Sequence, residues 1–230
     1  MKRTSASLVL QSLLVLGLLD CAFHRPVHAE LYLAGQFGVV LPQKLTDVDQ
    51  GIAPAMPARA TLSDLSLENS LMGGGKIGYY FDSLKWLGVE FEAFHTTPHV
   101  KQQAVTESAV GTPSFTEVRP GGRLLVSTVA LNIVVRAQLG YYEPYVGVGV
   151  AGFIHQLNGF GRRGQGPIFI SGDRAGLNTQ LGLRYRVTDH FSVFEEWKFN
   201  RARFEFDSPA MLDGTYSVHH LVFGICYHFW

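Results

Sequence analysis

From residue 31 onward, apolar side chains recur at every second position through eight separate stretches, and no other feature of this 230-residue chain restricts its fold as strongly. Successive side chains of a strand point to opposite faces, so alternation this sustained describes strands whose two faces meet different solvents. Over about 31–40, Leu31, Leu33, Phe37 and Val39 alternate with Tyr32, Ala34, Gln36 and Gly38. Stretches at about 71–81, 86–95 and 124–139 follow, where Ile77, Val89 and Ile133 alternate with Lys76, Glu90 and Asn132. Further stretches around 146–151, 177–186, 191–200 and 221–229 complete the set.

Long polar connections at about 42–69, 96–123, 157–173 and 207–215 take turns with short ones at 82–85, 140–143 and 188–190. Long loops on one side and tight turns on the other predict an all-β fold, an eight-stranded antiparallel up-and-down barrel that crosses a membrane. Glycine decides which face points inward. Gly38, Gly78, Gly88, Gly147, Gly149, Gly176, Gly182 and Gly224 share the face that carries the charges, and an eight-stranded barrel is only just wide enough inside for side chains. The crowded side is the polar side. Aromatics agree: Tyr79, Phe81, Trp86, Tyr141, Tyr142, Tyr185, Phe191, Tyr227, Phe229 and Trp230 gather near the short-turn ends, as a single interfacial girdle would place them. In hydrocarbon an unpaired backbone N–H or C=O is so costly that strands cross only as a closed barrel.

The first 29 residues read differently. Lys2 and Arg3 precede an apolar run over 8–19, and Val27, His28 and Ala29 offer a small-residue cleavage site before Glu30. This is the pattern of a secretory signal peptide, and its apolar core falls short of the roughly 20 residues a spanning helix needs. The chain therefore divides into an expected cleaved signal peptide at 1–29 and one barrel domain at 30–230. Cys226 is the one cysteine beyond the leader, so no internal disulfide is available. Lysine plus arginine equals aspartate plus glutamate, with no basic stripe that would suit nucleic acid.

The last strand carries the most specific motif. Gly224-Ile225-Cys226-Tyr227-His228-Phe229 resembles the Gly-x-x-Tyr-x-Phe ending of small outer-membrane barrels. Gly182-Leu183-Arg184-Tyr185, followed by Phe194-Glu195-Glu196-Trp197-Lys198-Phe199, is similar to their paired Gly-x-x-Tyr and Glu-aromatic-basic-aromatic strands. On these motifs the chain resembles the porin-like family of small outer-membrane β-barrels. The resemblance implies a bacterial outer-membrane location reached through the general secretory pathway. It also implies an assembly signal at Gly224, Tyr227, Phe229 and Trp230, read by the outer-membrane assembly machinery. Trp230 departs from the pattern by one residue and takes inward parity. No trailing peptidoglycan-binding domain is expected.

Lys76, Glu90, Glu92, Arg136, Arg184, Arg186, Glu196 and Lys198 all have inward parity. Buried charges must be paired, so these residues are expected to interlock as a salt-bridge plug across the barrel's lower half, with Gln36, Asn132, Asn178 and Gln180 completing hydrogen bonds. The expected role is structural or surface-interacting, with a surface ligand taken by 42–69, which holds an apolar patch at 52–57, and by 96–123. The alternative is a narrow gated path for ions or small solutes, because fold alone does not choose. A third reading is a lipid-modifying hydrolase: Ser217 and His219 share one face, with Glu205 on the neighbouring strand. Their order reverses the His-x-Ser of lipid A deacylases, and no catalytic residue is carried over. His219 and His220 face opposite sides, and His95 and His99 lack a carboxylate or cysteine neighbour, so no metal is expected. No glycine-rich phosphate loop precedes a helix, and no cofactor is expected. Glu195 shares the outward parity of Val193 and Trp197 and is read as interfacial. Expected partners are outer-membrane lipid and lipopolysaccharide, with the chain acting as a monomer.

Overall fold

A computed structural model describes residues 30–50, 60–109, 111, 113–159, 169–206 and 212–229. The leader at 1–29, the patch at 52–57 and Trp230 lie outside the described residues. The described strands, in chain order, are β1 (Glu30–Pro42), β2 (Thr46–Gln50), β3 (Ala60–Leu62), β4 (Ser70–Tyr80), β5 (Leu87–Thr96), β6 (His99–Val100), β7 (Gln103–Ala109), β8 (Phe115–Arg119), β9 (Gly122–Arg136), β10 (Tyr142–Asn158), β11 (Phe169–Arg186), β12 (Phe191–Glu205) and β13 (Leu212–Phe229). Eight of them (β1, β4, β5, β9, β10, β11, β12 and β13) pair antiparallel in that order. β1 then pairs back onto β13, from Leu31 opposite Phe229 to Pro42 opposite Val218. That pairing removes the edge and closes an eight-stranded barrel. No described helix is long and apolar enough to cross a membrane, and the strands do so instead.

Face assignment follows the alternation. Ile133, Val148, Val150 and Ile225 are each more than half exposed on the outside, an apolar display that water would not favour. Their neighbours Asn132, Gly147 and Cys226 are buried. Trp86, Tyr141, Tyr142, Tyr185, Phe191, Tyr227 and Phe229 stand exposed at the short-turn ends. Their rings meet across strands, Tyr142 with Tyr185 and Phe191 with Tyr227 at 5.2 Å between centroids in both pairs. The inward glycines make room for rings. A Cβ on Gly78 would lie 2.2 Å from the Tyr32 ring, and one on Gly182 would lie 2.4 Å from that of Tyr145.

Two expectations need correction. The strands run further than the alternation suggested: β10, β11 and β13 have 17, 18 and 18 residues, whereas about 9–11 cross a bilayer. On β12 the outward residues up to Phe199 are Phe191, Val193, Glu195, Trp197 and Phe199, and the inward ones include Ser192, Glu196, Lys198 and Asn200. Beyond Asn200 the assignment reverses, with Arg201 and Arg203 outside and Ala202 and Phe204 buried. β13 does the same, since Leu221 to Phe229 present apolar side chains outward while Tyr216 and Val218, further up, turn theirs inward. The outer solvent changes from acyl chains to water at that level, so the strands continue with their chemistry inverted. At the other end, the fourth stretch stops at Arg136 and not at 139.

The second correction concerns the connections. Segments 42–69 and 96–123 contain strands. β2 pairs with the upper end of β13, β3 with β2, β7 with β3 and β8 with β7, while β6 pairs with β9. The barrel sheet thus continues into a folded head above the long-loop rim. Val48, Leu62, Leu65 and Val105 are buried beneath it, and Arg119 pairs with Glu107 at 3.0 Å.

Candidate functional site

The lumen is filled from its short-turn end upward, and each tier follows from residue parity. At the lowest level Arg136 donates to Glu30 at 2.6 Å, to Glu143 at 3.2 Å and to the Lys85 carbonyl at 2.9 Å. Arg186 donates to Glu143 at 2.7 Å, and Arg184 lies 3.6 Å from the same carboxylate. His228 sits 2.9 Å from Glu30 and 2.7 Å from the Ser192 hydroxyl. The guanidinium planes also cover aromatic faces, Arg136 at 3.6 Å from the Tyr80 centroid and Arg184 at 4.4 Å from that of Tyr32. Arginine suits this level because its planar fork can pair with a carboxylate and stack on a ring together.

One level up, Lys76 bridges Glu196 at 2.8 Å and Glu90 at 3.4 Å. Tyr145 donates to Glu196 at 2.8 Å, Gln180 donates to Glu90 at 2.8 Å, and the Tyr32 hydroxyl donates to Glu90. Above that, Glu92 accepts from Lys198, from Gln36 and Asn132 at 3.2 Å each, and from Asn178 at 2.7 Å. Lys198 also lies 3.1 Å from Glu196, which ties the two upper tiers together. Five acids (Glu30, Glu90, Glu92, Glu143, Glu196) thus face five bases (Lys76, Arg136, Arg184, Arg186, Lys198), all but Arg186 buried. Equal numbers let every buried charge find a counter-charge, the condition under which such burial is tolerable.

The filling then turns apolar. Phe94 meets His220 edge-on at 5.6 Å, and higher still Phe204 stacks on Tyr216 at 4.6 Å and on His155 at 4.0 Å. Leu124, Val126, Phe153 and Leu157 complete this layer and are buried. Charge network and apolar layer lie in series along the barrel axis.

All eight charged and four amide residues singled out by parity come together here. Sequence reasoning missed Glu30, Glu143, His228, Tyr80 and Tyr145; their inward parity was the available signal. Of the terminal motif, Gly224 points inward and Tyr227 and Phe229 outward. Ser217, His219 and Glu205 do not assemble. His219 lies 3.1 Å from Gln43 and against Trp197 and Phe199, Ser217 stands opposite Arg201, and Glu205, opposite Asp213 four residues further up the strand pair, pairs with Arg174. His219 and His220 face opposite sides, and His95 lies 2.9 Å from the Ser127 hydroxyl. Among the described residues no group of three His, Cys, Asp or Glu could hold a metal ion.

Residues 22–229 match the family model described as the outer membrane protein beta-barrel domain. No curated protein sequence matches the chain. Among solved structures, Neisserial surface protein A is similar at 12% identity, covering 87% of this chain and 99% of that one with a TM-score of 0.48. The outer membrane protein OprG from Pseudomonas aeruginosa is similar at 15% identity, covering 87% and 96%, TM-score 0.48. Ail, the attachment invasion locus protein of Yersinia pestis, is similar at 14% identity, covering 87% and 98%, TM-score 0.45.

Proposed function

The chain belongs to the outer membrane protein β-barrel family, and from that premise we propose that it works at the cell surface, as a closed membrane anchor for a folded head that binds ligands outside the cell. One observation carries the reading: the lumen is filled in series by a balanced charge network and an apolar layer, while the sheet continues outward through β2, β3, β7 and β8. Paired charges with an apolar layer above them suit a filled anchor better than a conducting path, since a barrel of eight strands is only just wide enough for its own side chains. A binding protein gains a rigid platform. Among the described residues β8 is the last strand of the sheet and pairs with β7 alone; it displays Phe115 and Val118 at 45% and 52% exposure, apolar side chains on a surface otherwise rich in Thr, Ser, Gln and Glu. Edge strands of this kind are ready-made sites for a partner chain.

Among the described residues no carboxylate lies beside Ser217 and His219 to orient them, so this reading does not use them as a catalytic pair. Export by the general secretory pathway fits the basic and apolar leader, and the outward Tyr227 and Phe229 are available to the assembly machinery. The test is a binding screen of the native protein in nanodiscs against immobilised extracellular glycoproteins, run beside the double variant Phe115→Asp, Val118→Asp. Binding by the native protein that the variant loses is the expected result. Equal binding by both, or none by the native protein, would overturn the surface role.

A further inference from the structure

The charge network is neutral as a whole and uneven along the barrel axis. Its two upper tiers hold two bases, Lys76 and Lys198, against three acids, Glu90, Glu92 and Glu196. The lowest tier holds three bases, Arg136, Arg184 and Arg186, against two acids, Glu30 and Glu143. The positive excess of the network therefore lies at the short-turn mouth, which faces the periplasm when the head stands outside the cell.

A polar cavity of about 130 Å³ opens at that mouth, and its polar lining is Glu30, Tyr80, Lys85, Arg136, Gln138 and Arg186. β1, β4, β9, β11 and the 82–85 turn each contribute to it. Arg136 commits three of its five N–H groups, to Glu30, Glu143 and the Lys85 carbonyl, and the last of these bonds holds the turn of Lys85 against the cavity. Lys85 and Gln138 are exposed, while Tyr80 is buried with no hydrogen-bond partner for its hydroxyl. Asp82 and Asp189, on turns at the same mouth, are exposed and do not line the cavity. Five side chains that carry donors thus surround one carboxylate.

A donor-rich cup of this size takes a small oxyanion. A tetrahedral phosphoryl group accepts from several directions at once, and the guanidinium fork matches its oxygens. Glu30 decides which phosphoryl group. Its carboxylate repels a bare oxyanion and accepts from a P–OH, so it favours a group that keeps a proton over sulfate or a phosphodiester, which have none at neutral pH. We propose that this mouth binds inorganic phosphate or a phosphate monoester from the periplasm, with Lys85, Arg136, Gln138 and Arg186 donating to it and Glu30 accepting from its P–OH. The proposal rests on the outer-membrane location of the chain. The site lies at the opposite end of the barrel from the head and is independent of whether the head binds a ligand.

The experiment is isothermal titration calorimetry of the protein purified from membranes in a phosphate-free maltoside detergent, at neutral pH and fixed ionic strength. Sodium phosphate, sodium sulfate and glycerophosphoethanolamine, a soluble diester headgroup, are the titrants. Saturable binding of phosphate at one site is expected, with sulfate and the diester about tenfold weaker, the weight of one hydrogen bond to a charged group. Lys85→Met should weaken phosphate by about the same factor, and Glu30→Gln should narrow the gap between phosphate and sulfate. The comparison among titrants uses the native protein alone, so it decides the matter even where the Glu30 variant does not fold. No saturable phosphate binding by the native protein would overturn the proposal. So would phosphate and sulfate binding alike, the mark of an unselective cationic mouth, or the diester binding as tightly as phosphate, the mark of a lipid headgroup site. Phosphate affinity unchanged in Lys85→Met, or a gap unchanged in folded Glu30→Gln, would overturn it too.

Discussion

Glu92 receives four side-chain donors, Lys198 and Gln36 on Oε2 and Asn132 and Asn178 on Oε1. An ionised carboxylate offers about four lone-pair sites, so its capacity is used up in a site fully shielded from solvent. Glu92→Gln would turn an amide donor toward donors that already need acceptors and would leave Lys198 with Glu196 alone. Removing one member of a buried pair costs about 3–5 kcal/mol, and urea unfolding in lipid vesicles should register a loss of that size. The double variant Glu92→Gln, Lys198→Met should lose clearly less than the two single losses combined; full additivity would contradict the network.

Above the belt, His155 is buried face-on to Phe204 with Nε2 3.2 Å from the Glu205 carbonyl oxygen. Burial holds its pKa below the ordinary 6.5. The folded protein keeps this ring neutral while the unfolded chain takes up a proton near 6.5, so its contribution is complete above that pH and declines as pH falls through and below it. Amide protection in the upper half of β10, corrected for intrinsic exchange, should weaken on acidification below about 6.5, and less so in His155→Phe. Parity found most inward charges in the sequence. Glu30 and Glu143 escaped because each borders a break in the alternation, the leader for one and a short turn for the other, although Glu30 shares the parity of Tyr32 and Glu143 that of Tyr145.

β12 and β13 each carry two amphipathic patterns of opposite sense. On β13 the boundary falls at His219, with Leu221, Phe223 and Ile225 facing lipid below it and Tyr216 and Val218 facing the core from its other side. The strand cores at 191–200 and 221–229 were legible because one pattern rules them. The upper halves were not, because a reading that keeps one solvent per face stops where the solvent changes. Spin labels at Leu221 and Ile225 should be relaxed by oxygen dissolved in the bilayer, and labels at Thr215 and Arg203 by a water-soluble nickel complex. The same ranking at all four sites would contradict the boundary. The glycine seats make a second prediction at this scale. Gly182→Ala would press a methyl group on the Tyr145 ring and should cost about 1–3 kcal/mol, and the double variant Gly182→Ala, Tyr145→Ala should lose less than the two single losses combined.

For the whole molecule, the barrel, its closure and its filled lower half follow from alternation, glycine placement and charge parity. The head does not. β2, β3, β7 and β8 have three to seven residues each, too short for period-two patterning to stand out, and β2 and β3 are held by pairing to neighbours distant in sequence. Val48, Leu65 and Val105 look like scattered loop apolars until the barrel rim supplies the surface they cover. The account depends most on the lumen being closed along its length, and single-channel recording of the native protein in planar bilayers tests this directly. It predicts no steady unitary current across the range of voltages the bilayer withstands. Reproducible ohmic steps from the native protein would contradict it.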